Sequence, residues 1–231
     1  MSEAAIAPTI VRQSFAERLE AMLPVLLVPV IALGGLALIG VPTTWLTLTA
    51  AGLAMGMMIF LMASGLTVVF GLMDVINFGH GAFIAVGAFI GVSVLARLAG
   101  WTGAPSVALN LAALAAALLV AMAATGALGW LFERVIVRPV YGFHLKQILV
   151  TMGGLIIAQQ LIHVVWGPDA ITLARPQTLK GSVVVGGALV ETYRILAAGL
   201  GLAVFIAMRL VLTRTPNGLL VRAGVEKGEM E

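Results

Sequence analysis

Six long apolar runs, separated by short polar or glycine-rich stretches, set the pattern of this chain. They lie near 21–41, 45–73, 82–99, 105–132, 147–166 and 193–212. A helix needs about 20 apolar residues to cross the hydrocarbon core of a bilayer, so each run predicts a membrane-spanning helix. The third is short and glycine-rich, open to a break or a tilt. The connections are brief except for 167–192. There Pro168, Pro176 and Gly181 interrupt helix, while Ser182 to Val185 and Ala188 to Val190 favour short strands around Gly186 and Gly187. Strands open to lipid would leave backbone polar groups unpaired, so this segment reads as a hairpin outside the membrane. The expected fold class is all-α: a polytopic transmembrane helical bundle of about six spans, with a small extracytoplasmic β-like hairpin.

Composition agrees. Of 231 residues, 61% are hydrophobic and 10% charged, against about 25% charged in a soluble domain. Mean hydropathy is +1.12. Cysteine is absent, which excludes a disulfide framework and thiolate chemistry in this chain. The net charge is only +3, so the pI of 9.8 reflects scarce acids rather than a nucleic-acid-binding surface. Residues 1–20 carry Glu3, Arg12, Glu17, Arg18 and Glu20 before an apolar run longer than a signal peptide's. The 21–41 run therefore reads as a retained helix.

Charge position predicts orientation. With the N-terminus inside, the inner segments hold nine Lys/Arg: Arg12, Arg18, Arg134, Arg138, Lys146, Arg209, Arg214, Arg222 and Lys227. The outer ones hold four: Arg97, Arg175, Lys180 and Arg194. The positive-inside rule favours that orientation, which puts 74–81 at the inner side and the hairpin outside.

Catalytic signatures are missing. His80, His144 and His163 lie far apart, and there is no HExxH, GxSxG or GxxxxGK[ST]. No catalytic residue, metal site or cofactor is expected. The polar groups within apolar surroundings are more informative. "DVINFGHGAF" (74–83) places Asp74, Asn77 and His80 among Gly79 and Gly81. On a helix Asn77 and His80 would share a face, while the glycines allow close backbone approach. One reading is a polar break lining a solute path; the other is an interfacial loop with Asp74 as a helix cap. In "IIAQQLIHVVW" (156–166), Gln159 and His163 share a face and Gln160 points elsewhere. These could face a path or join helices by hydrogen bonds worth about 1 kcal/mol or less, and the second reading is the simpler. Trp166 reads as an interfacial anchor. "GLAMG" (52–56) and "GAFIG" (87–91) match the small-xxx-small pattern of close helix contact.

"GLTVVFGLMDVINFGHGAFIAVGAF" (65–89) resembles the signature of permease subunits of branched-chain amino acid ABC transporters, a family that also serves urea and short amides. "ERVIVRPV" (133–140) is similar to that family's inner loop and "ILVTMGGLIIAQQL" (148–161) to its next span. "TRTPNGLLVRAGVEKGEM" (213–230) looks like the start of its cytoplasmic ATPase-docking segment. The resemblance covers about 50–230, leaving 21–41 as an extra N-terminal span of a single transmembrane permease domain, 1–231.

The resemblance implies a translocation pathway near Asn77, Gly79, His80 and Gly81; Gln159 and His163 are candidate pathway residues on their shared face alone. It implies ATPase docking through Gly218, Arg222, Ala223 and Glu226. The implied partners are separate ATP-binding cassette subunits, a second related permease, an extracytoplasmic solute-binding protein and the lipid bilayer of a bacterial inner membrane. Family members continue beyond the docking segment, so the resemblance also implies a chain incomplete at its C-terminus. Two other classes stand beside this one: a secondary transporter or channel, and a non-transporting truncated remnant.

Overall fold

The computed structural model describes residues 15–73, 77–173 and 175–215. Its helices are α1 (Phe15–Ile39), α2 (Pro42–Met73), α3 (His80–Arg97), the short α4 (Ala99–Thr102), α5 (Val107–Phe132), α6 (His144–Trp166) and α7 (Thr192–Arg214). Five of them are long and apolar enough to cross a membrane; the apolar stretch in α1, Val25–Ile39, is shorter. All six apolar runs of the sequence are thus helical. The third is one unbroken helix from His80, its glycines notwithstanding.

Local chemistry sets the boundaries. Pro42 opens α2 at a position where a missing N–H costs nothing. The Ser106 hydroxyl caps α5 by accepting from Leu109 N–H at 3.4 Å. Beyond Phe132 the helix widens into one π-turn, Glu133–Val137, and tightens into a 3-10 turn, Arg138–Val140. Pro139 lies in that turn, where it has no N–H to offer an α-helical ladder. The hairpin pairs β1 (Ser182–Val185) with β2 (Ala188–Glu191) antiparallel. Gly186 and Gly187 connect them with φ of 57° and 82°. A two-residue turn with both φ positive matches the twist of its strands and favours glycine at each place.

Large apolar side chains such as Leu38, Leu119, Leu149 and Val164 stand exposed around the bundle. In water they would drive aggregation; in lipid the hydrocarbon is their solvent. Long helices alternate in direction. The starts of α2 and α5, the ends of α3 and α6, and the hairpin lie at one end. The turn at 77–79 and the segment 133–143 lie at the other.

The helices form two groups. In one, α1 docks on α2 through Trp45, whose Nε1 donates to the Ala32 main-chain oxygen at 2.7 Å. There α2 packs on α7, with Phe60 and Phe205 edge to face at 5.6 Å, and β2 packs on both. In the other group α3 packs on α5 around Leu95, Ala113 and Ala117, and on α6. Trp166 Nε1 donates to Ser93 Oγ at 2.8 Å, with its ring 5.4 Å from that of Phe89. Trp166, expected as an interfacial anchor, thus also ties α6 to α3. Of the small-residue patterns, only Gly87 makes a close contact, a Cβ there lying 3.2 Å from Thr125 Cγ2; Gly52, Gly56 and Gly91 face open space. Between the groups, α2 and α3 barely touch, leaving a seam.

Candidate functional site

The polar break lies at one end of that seam. Asn77, Phe78 and Gly79 form a turn, and α3 begins at His80. Asn77 and His80 are therefore not on one helix face, as an uninterrupted helix would have put them. Asn77 Oδ1 instead folds back to accept from Gly79 N–H at 2.9 Å, a local turn typical of asparagine. His80 N–H donates to the Asn77 main-chain oxygen at 3.3 Å.

The turn is fixed from both sides. Phe78 N–H donates to Thr151 Oγ1 of α6 at 3.2 Å, and that hydroxyl donates to the Gln147 main-chain oxygen at 2.7 Å. Thr151 and Gln147 are buried. Gly79 is buried too, and a Cβ there would stand 3.0 Å from Asn77 Oδ1 and 3.5 Å from Phe132. Close backbone approach was expected at both glycines. It occurs at Gly79, whereas Gly81 borders open space. Toward α2, His80 Nε2 lies 3.2 Å from the Met62 main-chain oxygen. An oxygen at that distance requires the proton on Nε2. The imidazole passes directly over Gly65, where a Cβ would meet it at 3.0 Å.

Asn77, His80 and Gly81 line a cavity of about 720 Å³ between α2 and α3, with Met62, Leu66 and Ile84 among its apolar walls. A second cavity, of about 1000 Å³, opens along the same seam toward the hairpin end, between α3, α5, α7 and the stretch that holds Leu173, Arg175, Pro176 and Leu179. Ile84 lines both. Arg175 and Tyr193 stand on the wall of the second, with the guanidinium 4.1 Å above the ring. Beside them Glu191 accepts from Arg194 Nε at 2.5 Å and from Arg175 at 3.1 Å. The Arg194 hydrogen bond, followed by that of Arg175, holds the Glu191 carboxyl below the usual carboxylate range.

Gln159 and His163 sit exposed on α6, away from the Asn77–His80 cavity. Asp74, a helix cap in one of the two readings of this stretch, and the docking residues Gly218, Arg222, Ala223 and Glu226 lie outside the described residues. Sequence reasoning passed over Thr151 and Asn110. Thr151 stands within a quoted motif, but nothing local marks a hydroxyl that will meet residue 78. Among the described residues no cluster of His, Asp and Glu has the makings of a metal site.

The chain matches, over residues 48–227, the family described as branched-chain amino acid transport system / permease component. It is 33% identical over 188 residues to the high-affinity branched-chain amino acid transport system permease protein BraD of Pseudomonas aeruginosa, covering 78% of this chain and 58% of that protein. It is 29% identical over 142 residues to LivH, a permease protein of the same description from Escherichia coli K12, covering 58% of this chain and 42% of the other. The chain thus spans about half the length of the curated relatives it matches. No solved structure matches it.

Proposed function

The chain belongs to the branched-chain amino acid permease family, and from that premise we propose that it is the inner-membrane permease subunit of an ATP-driven importer. It moves branched-chain amino acids or similar small polar solutes into the cytoplasm by alternating access. The observation that carries this reading is the pair of cavities on one seam, one toward each end, with Ile84 between them. A solute in the outer cavity reaches the inner one once the two helix groups shift about the seam. At the inner cavity the imidazole and carboxamide of His80 and Asn77 replace part of the hydration that the solute loses.

The energy comes from elsewhere, as befits a permease component. We assign ATP hydrolysis to separate cassette subunits docked on 213–231 through Gly218, Arg222, Ala223 and Glu226. A second related permease completes the pore, and an extracytoplasmic binding protein delivers solute to the hairpin end. Shear between packed helices is a known way for such motion to reach a site.

The test is uptake of radiolabelled leucine in cells that lack their own systems, given the full-length chain with its cassette subunits, second permease and binding protein. Uptake should require this chain and stop on ATP depletion. Uptake that survives ATP depletion but stops when the proton gradient is collapsed would make the protein a secondary transporter. Cysteines at Ala223 and Glu226 should crosslink to the cassette subunit, on a background free of native cysteine in this chain.

A further inference from the structure

One fully buried carboxamide has no part in the site above. Asn110, in the first turn of α5, is 0% exposed. Its Nδ2 donates to the main-chain oxygens of Trp101 at 2.8 Å and Ala104 at 3.0 Å. Its Oδ1 accepts from Thr178 twice, from the N–H at 3.0 Å and the hydroxyl at 2.8 Å. A side-chain amide offers two donors and two acceptor sites, and Asn110 uses all of them.

The two ends of this amide hold different parts of the molecule. The Nδ2 end holds α4 and the loop that follows it, within the α3–α5–α6 group. The Oδ1 end holds the strap 175–181, which continues into the hairpin of the other group. That hairpin rests on the start of α2: a Cβ at Gly186 would meet Leu46 at 3.3 Å, and one at Gly187 would meet Thr43 at 3.2 Å. Its last residue, Glu191, ties Arg175 to Arg194 of α7. The strap therefore crosses the seam at the outer end, and its Arg175, Pro176 and Leu179 form part of the outer cavity wall. Among the described residues, Asn110 makes the hydrogen-bonded tie between the strap and the α3–α5–α6 group.

We propose that Asn110 is a positioning residue of the transport cycle: its two bonds to Thr178 latch the strap over the outer cavity, and their release opens that end. This rests on the permease reading of the seam. Both bonds are neutral, and water can take the place of each partner once the strap lifts, so the latch is weak enough to cycle. The Nδ2 bonds stay made throughout and keep the acceptor aimed.

The test places a single cysteine at Ala197, on the α7 wall of the outer cavity, in the full-length chain with its partners in intact cells. A membrane-impermeant maleimide reports access from outside. Thr178→Val keeps the shape and the Asn110 bonds to Trp101 and Ala104 while removing one latch bond. Labelling should then quicken about fivefold, the change expected from one hydrogen bond. Thr178→Ser keeps the hydroxyl and should label at the parental rate. Equal labelling in parent and Thr178→Val, or an equal rise in Thr178→Ser, overturns the latch. Labelling is read without transport, so absence of leucine uptake in the parent counts against the permease reading while labelling still decides the latch.

Discussion

The ring of Phe132 lies over Gly154 so closely that a Cβ on that glycine would stand 2.5 Å from its Cε2. The same ring meets Phe83 edge to face at 5.4 Å and borders Gly79. One side chain at the end of α5 thus wedges together α3, α6 and the polar turn. Gly154→Ala should destabilise the protein by about 1–3 kcal/mol through overpacking, read as a lower unfolding temperature in detergent. Phe132→Leu in the same chain should restore part of the loss. A Gly154→Ala protein as stable as the parent would remove the wedge.

His80 joins the seam through its ring nitrogen and the Met62 oxygen. His80→Ala and Asn77→Ala are expected to lower leucine uptake while leaving membrane protein levels unchanged. His80→Gln, which returns an N–H donor to the site, should keep more activity than His80→Leu. Equal loss of protein level in all four would assign these side chains to packing instead.

Glu191 makes the hairpin's attachment sensitive to acid. Its folded pKa is lowered by Arg194 and then Arg175, so in the window just below the ordinary carboxylate value the unfolded segment binds the extra proton. The stabilisation is complete above that ordinary value and is lost as pH falls through the lowered one. Hydrogen exchange in 182–191 should be steady near neutrality and accelerate in acid. Glu191→Gln should exchange faster at neutral pH and lose that acid step.

Sidedness is open to direct measurement. The end of α3 and the strap share one end of the bundle, with Arg138 at the other. Reporter fusions after Arg97 and after Pro176 should both read external, and one after Arg138 cytoplasmic. An external signal at Arg138 inverts the assignment that rests on nine basic residues against four.

The helices and the hairpin were legible because lipid imposes a length on apolar runs, and because Gly186-Gly187 between β-favouring residues leaves few turns to choose from. Which face of each helix meets another was not. Lipid is as apolar as leucine, so period alone does not separate a packed face from a bare one. Gly87 packs on Thr125 while Gly52 faces open space, and nothing in their two motifs tells them apart. Asn110 sits unmarked in "VALNLAAL", and its partner Thr178 is 68 residues away. The tie from Trp166 to α3 was hidden likewise, its partner Ser93 being 73 residues distant. The candidate site was half visible: Asn77 and His80 stood out by polarity, while the turn that separates them from a common helix depends on Asn77 bonding to its own neighbour.

The pairing of α2 with α7 also fixes an order of assembly. The first of these helices ends at Met73 and the second begins at Thr192. At about 5–20 residues per second of synthesis, the interval is roughly 6 to 24 s. Through that time α3, α5 and α6 are free to pack as they emerge, while Met57 and Phe60 lack their partners Gly201 and Phe205. On α2, the contact with α1 can form at once, and the contact with α7 only after this interval. A nascent chain stalled before α7 would hold one finished helix group beside an unclaimed hydrocarbon face, the surface that a membrane quality-control protease or chaperone would meet first.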